Sequence, residues 1–506
     1  MTRSFVAPAL IMLLSACGPG SLGEGDGGSS SEDDVGSSDS TGTTDTTLDG
    51  TTDESSSGTD SSDSESDDPT TVGDLDLPPD PPDCMGLDSN LPLVIIDTMG
   101  QFIPDEPKIE AKLTVIDNGP GMRNCIDDTP SLEVDIGIET RGSTSQQYPK
   151  KSFGVETRDE FGQDLPISIF GMPVEADWVL YAPYPDKTMV RNALTFHLHR
   201  EMGHYSSRTQ HFELVLNNQY WGVYVWMERI KRDPGRVAIN KLDVNDIAGD
   251  ALTGGYILKV DKLTGDVGHN WVSPHSDEVT IQVHYPKGDQ IAPEQAQYIQ
   301  TQVTAFEDML AGPGFADPQT GYPAWIDVES YMDFMILQEL GRTVDGYRSS
   351  SFFHKDRDSV DGRFVAGPMW DFNLSYGNAD YCQAFSTTGY QYNFEQVCGQ
   401  QFDVEVPFWW KRLLEDPAFA DALRCRWESL RQGPLSDQAI ADFVGEQAEL
   451  LAEAQVRNFE RWPILGQYVP WNAYVGDTYE EELAYLLQWT SDRAAWLDGN
   501  FAGTCP

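Results

Sequence analysis

The sequence predicts an α+β fold with a sheet-rich first half and a helix-rich second half. Three observations carry this. From Leu91 to Val155, the stretches "LPLVIID", "KIEAKLTVID", "LEVDIGIETRG" and "KKSFGVETRD" alternate apolar and polar residues at period two, as half-buried strands do. "HFELVLNNQYWGVYVWMERI" reads as a hairpin: Phe212, Leu214 and Leu216 alternate before Asn217-Asn218, and Val223, Val225 and Met227 alternate after it. From Pro293 onward the spacing turns helical. In "PEQAQYIQTQVTAFEDML", Ala296, Ile299, Val303, Phe306 and Met309 share one face.

The chain of 506 residues opens with "MTRSFVAPALIMLLSACGPGS". One basic residue precedes an apolar run too short and too N-terminal to span a membrane, so residues 1–16 read as an export signal. The small residues before Cys17 resemble a lipobox. Cys17 is therefore the expected lipidation site, with an ordinary signal peptide and a chance cysteine as the alternative. Residues 17–83 follow as a linker rich in Gly, Ser, Thr and acids, without Lys or Arg. So little apolar surface predicts a disordered, extended tether. The body is expected as a sheet-rich lobe over 84–265 and a helical lobe over 266–506. No second long apolar run occurs, so attachment to a membrane is expected through the lipid alone. The same residues predict the compartment: an exported protein, lipid-anchored in a bacterial envelope at the outer membrane or cell surface.

Residues 18–83 hold 19 of the 82 acids, which leaves 63 acids against 32 bases from residue 84. So acidic a body argues against nucleic acid as a partner. Six cysteines remain beyond Cys17: Cys84, Cys125, Cys382, Cys398, Cys425 and Cys505. An even number in an exported chain predicts three disulfides. The short, loop-like segment between Cys382 and Cys398 favours that pair. Cys84–Cys125 and Cys425–Cys505 complete the set as near neighbours.

Further elements follow in order. "DKTMVRNALTFHLHREMG" is a helix with Val190, Leu194 and Leu198 on one face and Gly203 as its cap. "GGYILKVD" is a strand that sets Lys259 and Asp261 on one side. "DVESYMDFMILQELGRTVD" is a helix ending near Gly341, and "SSFFHKDRD" with "RFVAGPMWDF" forms a short strand pair. Helices return from Val404 to Phe501. A sheet-rich part joined to a helical part leaves a cleft, where ligand sites gather.

Several constellations could use such a cleft. In "ETRGSTSQQYPKKSFGVE" a strand ends before Arg141, Gly142, Ser143, Thr144 and Ser145, and Lys150 and Lys151 begin the next. Small residues, hydroxyls and bases suit a polyphosphate, although a plain hairpin loop with exposed bases reads the same way. Glu228 in "WMERIKRD" could meet Lys151 across the sheet, as in kinase sites, or form an ordinary cross-strand ion pair. Asp345 follows a helix in "RTVDGYRSSSFFHKD". Asp371 lies 26 residues later in "GPMWDFNLSYGN", between Trp370 and Phe372, where an ionised acid is expected to be buried and to need a cationic partner. Such a pair of acids could orient a hydroxyl and hold a metal, or serve as a glycosidase pair. "HLHREMGH" lacks the spacing of a metalloprotease motif, and no Walker A or G-x-S-x-G segment occurs.

These segments in series resemble the spore-coat protein H (CotH) family of atypical secreted kinases. The resemblance rests on "RGSTSQQYPKKSF", "DKTMVRNALTFHLHREMG", "LVLNNQYWGVYVWMERIKRD", "TGGYILKVDK", "TVDGYRSSSFFHKDRD" and "AGPMWDFNLSYGNADYC", in order, over roughly residues 90–500. It implies a divergent, two-lobed protein-kinase-like fold. It also implies transfer of phosphate from ATP to Ser or Thr of an exported or envelope protein, with Mg²⁺, or Mn²⁺ or Ca²⁺. Asp345 then matches the catalytic acid and Asp371 the metal-binding acid, with Asn373 beside it where the family often has a second acid. Arg141, Gly142, Ser143, Thr144, Ser145, Lys151, Glu228 and Lys259 match the nucleotide-binding set. Ser350 stands where ordinary kinases place a metal-binding asparagine. The alternative is a catalytically inactive kinase-like surface lipoprotein that acts as an adhesin or assembly factor.

Overall fold

Period-two patterning in the first half closes into a barrel rather than an open sheet. The computed structural model describes residues 84, 86–264, 268–399 and 405–506. The export signal, Cys17 and the acidic tether lie outside these residues. In chain order come β1 (Asp88–Ser89), β2 (Leu93–Asp97), β3 (Ile109–Ile116), β4 (Asn124–Cys125), β5 (Leu132–Arg141), β6 (Ser152–Arg158), β7 (Asp177–Tyr181), α1 (Arg191–Glu201), β8 (Thr209–Leu216) and β9 (Gln219–Glu228). The barrel order is β2-β3-β5-β6-β7-β9-β8. Its neighbours run antiparallel except at the closure, where β2 and β8 are parallel. Val94, Ile136, Phe153, Trp178, Phe212 and Trp226 fill one apolar cluster of the barrel.

The β8–β9 hairpin forms where expected. Asn217 and Asn218 both have positive φ, 51° and 62°. Asparagine tolerates this region, and two such residues give a turn whose twist matches the strands. Asn217 also ties the hairpin to the end of β2, accepting from the Thr98 amide at 2.9 Å.

The second half contributes α2 (Gly249–Leu252), β10 (Tyr256–Val260), β11 (Asn270–Val272), β12 (Thr280–Tyr285), α3 (Pro293–Ala311), α4 (Val328–Gly341), β13 (Ser351–Lys355), α5 (Asp358–Asp361) and β14 (Phe364–Ala366). Five of these strands make an antiparallel sheet in the order β11-β12-β10-β13-β14. The sheet runs across the division expected at residue 265, because β10 pairs with both β12 and β13. Helix α3 buries Ala296, Ile299, Val303 and Phe306, the expected face, with Met309 only partly covered and Leu310 taking its place. Asp327 caps α4 by accepting from the Ser330 amide at 2.9 Å.

The rest is α6 (Phe394–Cys398), α7 (Trp409–Leu413), α8 (Pro417–Arg431), α9 (Asp437–Leu451), α10 (Ala454–Arg461) and α11 (Tyr479–Asn500). The fold is α+β. Helix α10 docks against the barrel: Asn458 Oδ1 accepts from Lys150 Nζ at 2.8 Å and from the Val223 amide at 3.1 Å. Arg457 meets buried Glu213 at 2.6 Å. All three disulfides form as expected: Cys84–Cys125, Cys382–Cys398 and Cys425–Cys505.

Candidate active site

Strand register gathers three carboxylates at one end of the five-stranded sheet. Val260 pairs with Ser351, which brings the following Asp261 beside Ser350. Ser351 starts β13 directly after the loop that carries Asp345. On the other side of β13, the Gly367 amide donates to the Phe352 carbonyl at 2.8 Å, so the chain leaving β14 reaches Asp371 at the same end. Strain concentrates here too. Of twelve non-glycine residues with positive φ among those described, seven lie between Arg342 and Gln383, including Ser350 (48°) and Asp371 (66°). Such conformations persist where surrounding structure enforces them, and they cluster at functional sites.

Asp371 differs from expectation. Trp370 is half-buried and Phe372 wholly buried, but Asp371 itself is exposed to solvent. The left-handed turn directs it away from the Phe372 core, a conformation that residue type alone does not signal for aspartate. Enough protein nonetheless surrounds its carboxylate to desolvate it in part. That partial desolvation, then the charges of Asp345 and Asp261, push its pKa up to about 6, with Arg141 and Lys262 opposing. The partners of Asp371 are thus two acids and two bases at moderate range rather than one buried cation.

The other acids are held differently. Asp345 keeps a side chain 24% exposed, with Arg348 Nη2 at 3.3 Å. Asp261 is half-buried, and burial alone would raise its pKa. Lys259 at 2.9 Å, the Ser349 hydroxyl at 2.8 Å and the Ser350 amide outweigh burial and hold it below the usual carboxylate range. Sequence reading placed Lys259 and Asp261 on one face but gave a role only to the lysine. The alternation in "KVDK" was the signal available for Asp261.

From the barrel, Arg141 at the end of β5 lies over the Trp370 ring at 5.7 Å. Desolvation and the nearby Arg229 lower its pKa to about 10, while Asp371 and Glu139 act the other way. Gly142 follows with φ 110°, and a Cβ there would overlap the Ser145 hydroxyl. Ser143 and Thr144 are exposed in a single 3₁₀ turn, Thr144–Gln147. Tyr148, just beyond, donates to the Pro470 carbonyl.

The expected Lys151–Glu228 pair does not form. Lys151 donates to the Gln146 carbonyl, and buried Glu228 meets Arg208 at 2.6 Å and Arg236 at 3.8 Å. Register explains this. Glu228 stands opposite Trp178, whereas the Tyr224 hydroxyl, four residues back along β9, is what reaches the Lys151 carbonyl, at 2.9 Å.

Asn373 is partly buried, and its main-chain carbonyl accepts from Asn378 Nδ2 at 2.8 Å. Among the described residues, no three His, Cys, Asp or Glu side chains stand close enough to hold a metal by themselves. A divalent ion such as Mg²⁺ binds through one or two carboxylates together with substrate phosphates and water, so here it would need a nucleotide beside these acids. Desolvation first, and then the neighbouring acids Asp345 and Asp261, raise the pKa of Asp371, and a cation beside it would favour its ionised form. The donor set therefore fits a nucleotide-bound divalent metal.

The family model described as CotH kinase protein matches residues 138–497. This chain belongs to the CotH kinase family. The match runs from Ile138 in β5 to Leu497 in α11 and contains the site residues described above. No curated protein matches the chain. Among solved structures, the proinflammatory kinase CtkA of Helicobacter pylori is similar at 9% identity, covering 68% of this chain and 93% of CtkA with a TM-score of 0.23. Within this CotH kinase protein, the structure brings Arg141, Asp345 and Asp371 together, adds Asp261 and Lys262, and sets Glu228 apart in its own ion-pair cluster.

Proposed function

We propose that this protein is a metal-dependent kinase that transfers the γ-phosphoryl group of ATP to Ser or Thr hydroxyls of exported or envelope proteins. One observation carries the reading: Asp261, Asp345 and Asp371 converge at one end of a sheet, and Arg141 with its small-residue turn approaches them from the barrel. Arg141 and the Gly142–Ser145 turn bind phosphate oxygens, with Lys259 and Lys262 adding positive charge. Asp371, with Asn373 nearby, holds the divalent metal. When bound, that metal neutralises phosphate charge during transfer. Asp345 orients the acceptor hydroxyl and takes its proton as the new O–P bond forms and the bond to ADP breaks.

Cys17 anchors the protein by lipid to the envelope, and residues 17–83 span from the anchor to the body. One observation favours a second reading, a non-catalytic adhesin or assembly factor: the absence of a Lys151–Glu228 pair. Incubating the intact protein and exported envelope proteins with γ-labelled ATP and Mg²⁺ or Mn²⁺ separates the two. Label on serine or threonine supports the kinase. Its absence under all metals, with no nucleotide binding, favours the second reading. Cys17→Ser should move the protein from the membrane to the soluble fraction; retention on the membrane contradicts the lipid anchor.

A further inference from the structure

Aspartate tolerates the φ of 66° found at Asp371 better than most residues, but still at a cost, so neighbouring bonds decide whether it holds that turn. The enforcing contacts come from two helices. Helix α1 presents Asn192, only 5% exposed, whose Oδ1 accepts from the Phe372 amide at 2.7 Å. One turn later, the Thr195 hydroxyl meets the Tyr376 hydroxyl at 2.7 Å. From the end of α4, the Gly341 carbonyl accepts from the Tyr376 amide at 2.7 Å. The Phe372 ring packs on Gly341 so closely that a Cβ there would lie 3.1 Å from it. Asp345 follows Gly341 by four residues. The turn holding Asp371 and the loop holding Asp345 are therefore fastened to one point.

We propose that Asn192 is a positioning residue for the phosphoryl-transfer site. By capping the Phe372 amide, it keeps Asp371 in the left-handed turn that presents its carboxylate toward Asp345 and Asp261. Asn192 touches neither nucleotide nor metal; it acts through Phe372. The inference rests on the kinase reading and adds to it a residue from a helix with no ligand contact of its own. Without the Asn192 acceptor, the buried Phe372 amide must find another partner, and any rearrangement that supplies one turns Asp371.

The test uses the intact protein with Mn²⁺–ADP, which binds without turnover, and ADP without metal as the control. Asn192→Leu removes the acceptor at similar volume. It should weaken Mn²⁺–ADP binding about tenfold in calorimetry, with metal-free ADP binding nearly unchanged and the protein still cooperatively folded. Asn192→Asp restores an oxygen acceptor at the same place and should recover most of the lost affinity. If Asn192→Leu does not fold, Asn192→Ser, whose hydroxyl falls short of Phe372, takes its place with the same expectation. Unchanged Mn²⁺–ADP affinity overturns the inference. So does an equal loss of metal-bound and metal-free ADP, which marks general damage to the cleft, and so does a failure of Asn192→Asp to recover. Wild-type protein that binds no Mn²⁺–ADP at all overturns the kinase reading itself, an outcome distinct from these.

Discussion

Asp371, the proposed metal ligand, would have to be ionised to hold a cation, yet desolvation and then the charges of Asp345 and Asp261 disfavour its charge. Its pKa rises from 3.8 to about 6. A carboxyl whose folded pKa exceeds its unfolded value stabilises the fold while protonated, and this contribution fades as pH rises through about 6. Asp371→Asn, neutral at every pH, should therefore melt about 1 °C or more above wild type at pH 7.5 and no higher at pH 4; thermal melts at both values check this. Metal-bound nucleotide should show the opposite trend. Mn²⁺–ADP affinity should be about tenfold weaker at pH 5 than at pH 7.5, as protons compete for Asp371, measured by calorimetry. The importance of Asp371 is legible in "WDFN". Its exposure is not, because a positive φ on aspartate depends on Asn192 and Gly341, which lie far away in the chain.

Elements with strong local signals were legible: the β8–β9 hairpin from its Asn-Asn turn, α3 from its apolar face, and α4 from its closing glycine. Barrel closure was not, because a parallel β2–β8 pairing joins strands more than a hundred residues apart and leaves no local mark. Strands β11 and β12 lay in a region read as helical, and Glu228 was assigned to Lys151 because strand order was unknown. The break between α9 and α10 was also invisible in a continuous helical pattern. It turns Arg457 and Asn458 toward the barrel, where they make buried contacts. Gly222 on β9 is the receiving position, with φ 94° and a would-be Cβ 2.5 Å from Asn458 Oδ1. Gly222→Ala should combine strain with collision and lower the unfolding free energy by about 2 kcal/mol or more. Denaturant unfolding of the variant measures it.

Over the whole molecule, cysteine spacing proved a sufficient guide to connectivity, since each pair joins the next cysteine along the chain. None of the six cysteines from Cys84 onward should alkylate under denaturing, non-reducing conditions; a stoichiometrically labelled one in peptide mass mapping contradicts the pairing. The broad class was legible too; Arg141, Asp345 and Asp371, named from their motifs, lie near one another in the fold, while Asp261 emerged only from the β10–β13 register. Two loops fastened at Gly341 would give the two acids separate tasks, Asp345 toward the acceptor hydroxyl and Asp371 toward the metal. Nucleotide calorimetry beside a phosphoryl-transfer assay, on Asp345→Ala and Asp371→Ala of the intact protein, tests it most directly. Asp345→Ala should bind Mn²⁺–ATP nearly as wild type does and lose transfer by about two to four orders of magnitude, whereas Asp371→Ala should lose the metal-dependent binding itself. Equal behaviour of the two variants, or wild-type protein that neither binds nor transfers, would contradict it.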